Sequence, residues 1–325
     1  MIATILIALA AGSASALMFA SIISGALISL PLIYFAPLPL MVAALGWGPL
    51  AATIGGIAAA SIVGVTLGLP YCLGFALTVA VPAWWLGHLA LLGRPVSAGP
   101  LSGNGGAAVA PVMEWYPVGR IVLWIAGFAV LTMIAVLLTL GSDAETITGT
   151  MRRGLLRLVS PSDSVTGDDI ERLVDTFVMI APAAAAAAAM IRLMLNLWLA
   201  AKIAATSGRL QRPWPDLKTT ALPQMTLVVL CIALGLSFIG GLSAMFAQIA
   251  AAALVMAYAV AGFAVLHTLT LASKSRALWL GCAYATCVVT FPWAMLAVAL
   301  LGLADALFSF RQRFLRSRPP PLPAS

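Results

Sequence analysis

Residues 50–69 read LAATIGGIAAASIVGVTLGL, a stretch that contains no charged residue and no proline. A helix rises about 1.5 Å per residue, so a run of about 20 residues crosses the hydrocarbon core of a bilayer. Similar runs recur along the 325 residues, of which 62% are hydrophobic and 8% are charged. Soluble domains carry about 25% charged residues, so this chain cannot cover a globular surface with polar side chains. We therefore predict an all-α, polytopic transmembrane helical bundle, which excludes a soluble enzyme, a disordered chain and a secreted disulfide scaffold.

Prolines and glycine-rich turns divide the chain into nine or ten predicted membrane segments, some of them short. Pro37 and Pro39 interrupt the second segment. The predicted divisions are a four-segment bundle at 1–92, a flexible Gly/Pro loop at 93–117, a C-terminal bundle at 118–310 that contains a polar loop at 141–172, and a basic, Pro-rich cytoplasmic tail at 311–325.

Three finer boundaries depend on single residues. The first span is predicted to cover 2–29 and to end because Pro31 breaks the helix. Two spans are predicted at 224–246 and 248–272. The apolar run 277–310 is too long for one ordinary span, so we expect two short helices that meet near Phe291 and Pro292. Residues 151–159 have helical spacing, which fits either an interfacial helix or a solvated linker helix.

The basic residues are distributed unevenly between the loops. Lys and Arg number 17 against 10 Asp and Glu, which gives a net charge of +7. Ten segments with the N-terminus inside put four basic residues outside, namely Arg152, Arg153, Arg157 and Arg172, and twelve inside, namely Arg94, Arg120, Lys202, Arg209, Arg212, Lys218, Lys274, Arg276, Arg311, Arg313, Arg316 and Arg318. The positive-inside rule then predicts that both termini lie in the cytoplasm. The Ala- and Arg-rich composition indicates a bacterial plasma (inner) membrane. No basic patch is interleaved with stacking aromatics, so we predict no nucleic-acid partner.

Small residues recur every four positions on two predicted helices. Ala52, Gly56, Ala60, Gly64 and Gly68 lie on the third span. The first span carries the same spacing at Gly12, Ala16, Ala20 and Ser24. Small residues let helix backbones approach closely, so these faces serve either internal packing or the docking of a partner membrane subunit.

Polar residues inside apolar runs are the candidates for a ligand site. Arg192 and Asn196 are four residues apart and share a helix face. Arg192 has three open interpretations, which are an anchor for an anionic ligand, a partner for an acid, or a side chain that extends to the headgroups. Helix interruptions at Pro37 and Pro39 would expose backbone groups to the same ligand.

Asp305 and Arg311 form a second candidate pair, since six residues separate an acid near a helix end from the basic tail. An ion pair and a proton relay are both consistent with this spacing. The chain has no paired carboxylates within a span and no GxxxxGK[ST] motif. We therefore predict no enzyme, no cofactor and no metal, and any nucleotide hydrolysis would belong to another subunit.

Three stretches resemble the YybS-like membrane proteins, a family of unknown function. They are SLPLIYFAPLPLMVAALGWGPLAATIGGIAAASI at 29–62, LNLWLAAKIAATSGRLQRPWPDLKTTALP at 195–223 and LLGLADALFSFRQR at 300–313. The N-terminal half also resembles the S components of energy-coupling-factor transporters. That resemblance implies capture of a small molecule and docking, through Ala16 and Ala20, onto a transmembrane coupling subunit with ATPases. The chain departs from S components in having more spans.

Two functions follow as hypotheses. The first is small-molecule transport or substrate capture, with Arg192, Asn196, Pro37 and Pro39 as ligand-binding residues. The alternative is a membrane scaffold or assembly protein that binds partner proteins and transports nothing, with the small-residue faces and basic loops as its contact surfaces.

Overall fold

A computed structural model describes residues 2–96, 112–159, 168–215 and 220–316 and shows that helices dominate these ranges. In chain order the elements are α1 (Ile2–Ala20), α2 (Ser29–Phe35), α3 (Leu38–Trp47), α4 (Pro49–Leu67), α5 (Leu69–Phe75), α6 (Val81–Leu91), β1 (Gly93–Val96), β2 (Val112–Trp115), α7 (Val118–Leu140), α8 (Ala144–Val159), α9 (Asp168–Thr206), α10 (Met225–Leu236), α11 (Gly241–Leu269), α12 (Arg276–Val289), α13 (Trp293–Phe308) and α14 (Phe310–Arg316).

The lengths and hydropathies of these helices suit a membrane. Across the described ranges, seven segments are long and apolar enough to span one, namely Ile2–Ser24, Ser29–Trp47, Pro49–Leu67, Leu69–Leu91, Val118–Leu140, Asp168–Thr206 and Gly241–Leu269. Helices α10, α12 and α13 are shorter and apolar. The prediction of a helical, membrane-type fold is confirmed.

The chain divides into two compact units, and the division differs from the predicted one. The first unit comprises Met1–Ile125 and Ile191–Pro215, and the second comprises Ala126–Met190 and Asp216–Ser325. The predicted C-terminal bundle began at 118, whereas α7 and α9 each contribute residues to both units. Each of these helices passes from one unit to the other without a break. No turn residue therefore marks the boundary in the sequence.

The first unit is built on a close crossing of α1 and α4. A Cβ atom added to Gly12 would collide with the carbonyl oxygen of Gly55, and one added to Gly55 would collide with the carbonyl oxygen of Ala8. Only glycine permits this approach, which buries Ala8 and Ala51 completely.

The second unit uses the same device between α11 and α13. A Cβ atom added to Gly262 would meet the carbonyl oxygen of Val298, and one added to Gly302 would meet that of Tyr258. A separate apolar cluster joins α7, α8, α9 and α11 through Leu137, Ile147, Ala186 and Ile249. Helix α8 is therefore packed into this unit at Ile147, while Leu158 near its other end is exposed.

Three predicted boundaries were wrong. The first helix ends at Ala20 and continues as a 3-10 turn, Ser21–Ser24, before Gly25 reverses the chain at φ 63°. Pro31 lies inside α2 instead of ending a span, because the first-turn N–H groups of a helix have no intrahelical partner and proline is tolerated there. The break between α10 and α11 comes at Gly240 and not after Phe246. Gly240 and Gly241 both have positive φ, which suits this turn.

The predicted pair of short helices in the last apolar run is present, since α12 ends at Val289 and α13 begins at Trp293, on either side of Phe291 and Pro292. Within the predicted polar loop at 141–172, α8 begins at Ala144, earlier than the sequence indicated. The carboxylate of Asp143 accepts a hydrogen bond from the Thr146 backbone N–H at 2.8 Å, which caps this helix.

The predicted loop at 93–117 has ordered ends. Strands β1 and β2 pair antiparallel, with Gly93 opposite Trp115 and Arg94 opposite Glu114. Arg94 and Glu114 form an exposed ion pair at 2.7 Å. Residues 97–111 of the loop and 317–325 of the predicted tail lie outside the described residues.

Candidate functional site

Asn196 is the most deeply buried polar residue of the first unit that sequence analysis selected. It lies on α9 and has no exposed surface. Its Nδ2 donates hydrogen bonds to the backbone oxygen of Tyr34 at 3.0 Å and to that of Arg192 at 2.8 Å. Tyr34 belongs to the last turn of α2, where carbonyl groups lack the usual helical donors. Asn196 thus fastens α9 to the interruption between α2 and α3.

Two prolines cause that interruption. Pro37 and Pro39 have no backbone N–H, so neither can bond to the carbonyl four residues earlier. Helix α2 ends at Phe35 and α3 begins at Leu38. Unwound backbone was predicted near Pro39, but Pro39 is helical and lies in the first turn of α3, where proline is tolerated. The break is confined to Ala36 and Pro37.

The side-chain amide oxygen of Asn196 has no hydrogen-bond donor among the described residues, although this Oδ1 atom is buried. A buried acceptor without a donor costs about 1–3 kcal/mol, and such groups in native proteins are usually satisfied by water or a ligand. The Nδ2 bonds fix which end of the amide faces this position, so the site requires a donor.

Arg192 lies one turn before Asn196 on α9 and is half-buried. Its Nη2 donates to the backbone oxygen of Thr78 at 3.2 Å. Thr78 lies in a π-helical turn, Ala76–Ala80, that joins α5 to α6. Such turns frequently occur at functional sites, because they leave backbone groups outside the regular helical ladder. No Asp or Glu among the described residues forms an ion pair with Arg192.

The structure therefore brings together most of the predicted ligand residues. Arg192 and Asn196 bridge from α9 to two helix irregularities, and Pro37 lies beside the one that Asn196 contacts. Sequence reasoning missed Tyr34 and Thr78, because their backbone oxygens make the contacts and no side-chain type marks them. Ligand binding by this group stays a prediction.

The small-residue faces lie largely inside the first unit. A Cβ on Gly56 would come within 3.4 Å of the Ala80 Cβ, and one on Gly64 within 3.3 Å of the Cys72 Cβ. Ala16 is buried, whereas Ala20 and Ala60 are half-buried. Gly68 does not belong to this face, since it follows the end of α4 with φ 98°.

The predicted Asp305–Arg311 ion pair is present in the second unit. Arg311 Nε lies 2.6 Å from Asp305 Oδ2, and its backbone N–H donates to Oδ1 at 2.8 Å. Arg311 Nη1 also donates to the backbone oxygen of Thr220 at 2.6 Å. Ser309, at φ 54°, reverses the chain so that α14 turns back toward the end of α13. The pair lines a cavity of about 580 Å³ together with Gln224 and Tyr258.

A larger cavity of about 780 Å³ in the second unit lies between α8, α9 and the start of α11. Arg152 lines it and bonds to Asp175 at 2.7 Å and to Glu171 at 2.8 Å. The hydrogen bond and charge of Asp175, followed by those of Glu171, raise the pKa of Arg152. All three side chains are substantially exposed, so the pairs contribute little to stability.

Comparisons with known proteins add no family assignment. The chain matches no family model, no curated protein and no solved structure. Function must therefore be inferred from the geometry of the chain itself.

Proposed function

We propose that this chain is a multi-pass membrane protein that captures or transports a small molecule, which Arg192 and Asn196 hold in the first unit. One observation carries the proposal: the buried Oδ1 of Asn196 accepts no hydrogen bond from the described residues. One helical turn away lies the Arg192 guanidinium, which pairs with no carboxylate of those residues. Polar groups within apolar segments are expensive, and unpaired ones mark functional sites.

The chemistry of the two side chains defines the ligand. A guanidinium has five N–H donors and favours an anionic oxygen, whereas the Asn196 Oδ1 requires a donor. The ligand therefore carries an anionic group and a hydroxyl, amine or amide within a few ångströms of it. Interrupted helices at ligand sites are common in transporters, because their backbone groups can turn toward substrate.

The same proposal includes an orientation of the protein in the membrane. Three arginines lie on or beside the two-stranded ribbon of β1 and β2, which Tyr116 follows directly in the chain, namely Arg94, Arg120 and Arg212. Arg94 lies on β1, Arg120 lies over the Tyr116 ring at 6.0 Å, and Arg212 donates to the Tyr116 backbone oxygen at 3.0 Å. This grouping agrees with the positive-inside count, which places that end of the first unit and both termini in the cytoplasm of a bacterial plasma membrane.

The proposed transporter would work with a coupling subunit and ATPases if the resemblance to S components extends to mechanism. The alternative, a scaffold that transports nothing, would use the small-residue faces as docking surfaces. The burial of Ala16 and Gly56 within the first unit favours the transport hypothesis over that alternative.

Purification from native membranes in mild detergent, followed by native mass spectrometry, tests the proposal. We expect a small-molecule adduct on the wild-type protein that Arg192→Ala loses. Arg94→Ala is the matched control, because it removes one exposed, paired cation from the same unit. Thermal unfolding of each variant establishes that the fold is intact. An adduct of equal occupancy on folded Arg192→Ala protein, or no adduct on the wild type, would contradict the proposed site.

A further inference from the structure

Three cations at the C-terminal end of α9 and in the segment that follows each lie over an indole ring. Lys202 Nζ is 4.2 Å from the centre of the Trp214 ring. The guanidinium carbon of Arg209 is 5.2 Å from that of Trp47, and the guanidinium carbon of Arg212 is 5.9 Å from that of Trp115. We call Lys202, Arg209 and Arg212 with these three rings the basic aromatic surface.

Arg212 holds this surface in place. Its Nη1 donates to the Ala90 backbone oxygen at 3.2 Å and its Nη2 to the Tyr116 backbone oxygen at 3.0 Å. Ala90 lies in the last turn of α6, so the guanidinium satisfies a carbonyl that the helix leaves without a donor. Burial lowers the pKa of Arg212 from its ordinary value. These bonds fix residues 209–215 against the end of α6 and the ribbon.

Lys202 and Arg209 have a different environment. Both are exposed, and neither has an Asp or Glu within 4 Å among the residues that the structure describes. Indole rings attract cations but leave their N–H groups available to an acceptor. Within the part of the chain that the structure describes, neither side chain donates a hydrogen bond, so both have N–H donors for a ligand beside their aromatic rings.

Exposed apolar rings adjoin these donors. Trp198, one turn before Lys202 on α9, is 49% exposed, and Trp214 is 43% exposed. Tryptophan and tyrosine concentrate where the hydrocarbon of a bilayer meets its headgroups, and cations at this level attract anionic lipids. A soluble anion needs the charges alone, whereas a lipid uses both the charges and the exposed rings.

We propose that Lys202 and Arg209 bind the headgroup phosphate of an anionic phospholipid, whose chains run past Trp198 and Trp214. Arg212 positions the surface and does not contact the lipid. This site is independent of the small molecule proposed for Arg192 and Asn196.

Native mass spectrometry of delipidated protein, titrated with phosphatidylglycerol or phosphatidylcholine of the same acyl chains, tests the site. We expect tighter binding of phosphatidylglycerol. Each basic residue near a membrane contributes about 1 kcal/mol, so Lys202→Gln and Arg209→Gln should each weaken phosphatidylglycerol binding about fivefold. Lys202→Arg should bind as the wild type does, because it keeps the charge.

Arg94→Gln is the matched control. It also removes one cation from the first unit, but Arg94 is already paired with Glu114. If Arg94→Gln weakened phosphatidylglycerol binding as much as Lys202→Gln and Arg209→Gln do, net charge alone would explain the loss. That result would overturn the site. Equal affinity for both lipids would also overturn it. Inorganic phosphate should leave the lipid adducts in place, and their displacement would show that the surface takes a soluble anion instead.

Discussion

Polar groups are bonded differently in the two units: Asp305 of the second unit is paired with Arg311, whereas Asn196 of the first unit has an amide oxygen with no donor among the described residues. Asp305 is 6% exposed and both its oxygens accept bonds from Arg311. Asn196 is equally hidden, but its Oδ1 has no donor from the described residues. A satisfied pair fixes a structure, while an unsatisfied group is retained against a cost and therefore indicates another requirement.

The largest expected effect is on the satisfied pair. Asp305→Ala removes the partner of a buried guanidinium, and breaking a buried pair costs about 3–5 kcal/mol. We expect a marked loss of thermal stability in detergent, measured by the fraction that remains monodisperse after heating. Asp305→Ala with Arg311→Met should recover part of the loss, since no buried charge then stays unpaired. If Asp305→Ala alone were as stable as the wild type, the contrast between the two regions would be lost.

Asn196→Leu should have a smaller effect on stability. It deprives the Tyr34 carbonyl of its donor, which costs about 1–3 kcal/mol, but it also removes the unpaired Oδ1, which offsets part of that cost. The same heating assay should place this variant between the wild type and Asp305→Ala. Bound small molecule should be lost in native mass spectra. A stability loss as large as that of Asp305→Ala would make Asn196 a purely structural residue.

The smallest expected effect concerns Asp143, an exposed carboxylate that belongs to neither of the two compared groups. The hydrogen bond from the Thr146 backbone N–H lowers the pKa of Asp143. Its contribution is therefore complete above the ordinary Asp pKa of about 3.9 and is lost as pH falls through the lower pKa of the folded state. The protection of the amides in the first turn of α8, which is the observed exchange rate compared with the intrinsic rate at the same pH, should fall over that acidic range.

Asp143→Ala supplies the control for this pH dependence. The protection of the same amides should already be low at neutral pH and should show no further loss as the pH falls. Parallel pH profiles for the variant and the wild type would assign the cap to another group.

The helical fold and the polar residues Arg192 and Asn196 of α9 could be predicted from the sequence, because both depend on side-chain type. An arginine and an asparagine in an apolar run are visible without coordinates, and so is the proline that separates α12 from α13. The turn between α10 and α11 was misplaced because its glycines have positive φ, which composition does not show. The ribbon was missed since four-residue strands gave no alternating pattern in a Gly/Pro-rich loop.

The partners of Arg192 and Asn196 were beyond prediction for a different reason. Both contacts are made to backbone oxygens, of Thr78 and Tyr34, and every residue carries such an oxygen. Pro37 indicated where α2 is interrupted, but the π-helical turn at Thr78 contains no proline or glycine. Only the fold shows which carbonyls face α9.

The order of translation gives these two contacts a consequence for biogenesis. The ribosome releases Thr78 114 residues before Arg192 and Tyr34 162 residues before Asn196. The chain between them includes Ala126–Met190, which belongs to the other unit. The early membrane segments thus await donors that are synthesised much later. A nascent chain arrested after α6 and before Ile191 would contain both irregular helices and neither of the side chains that bond to them.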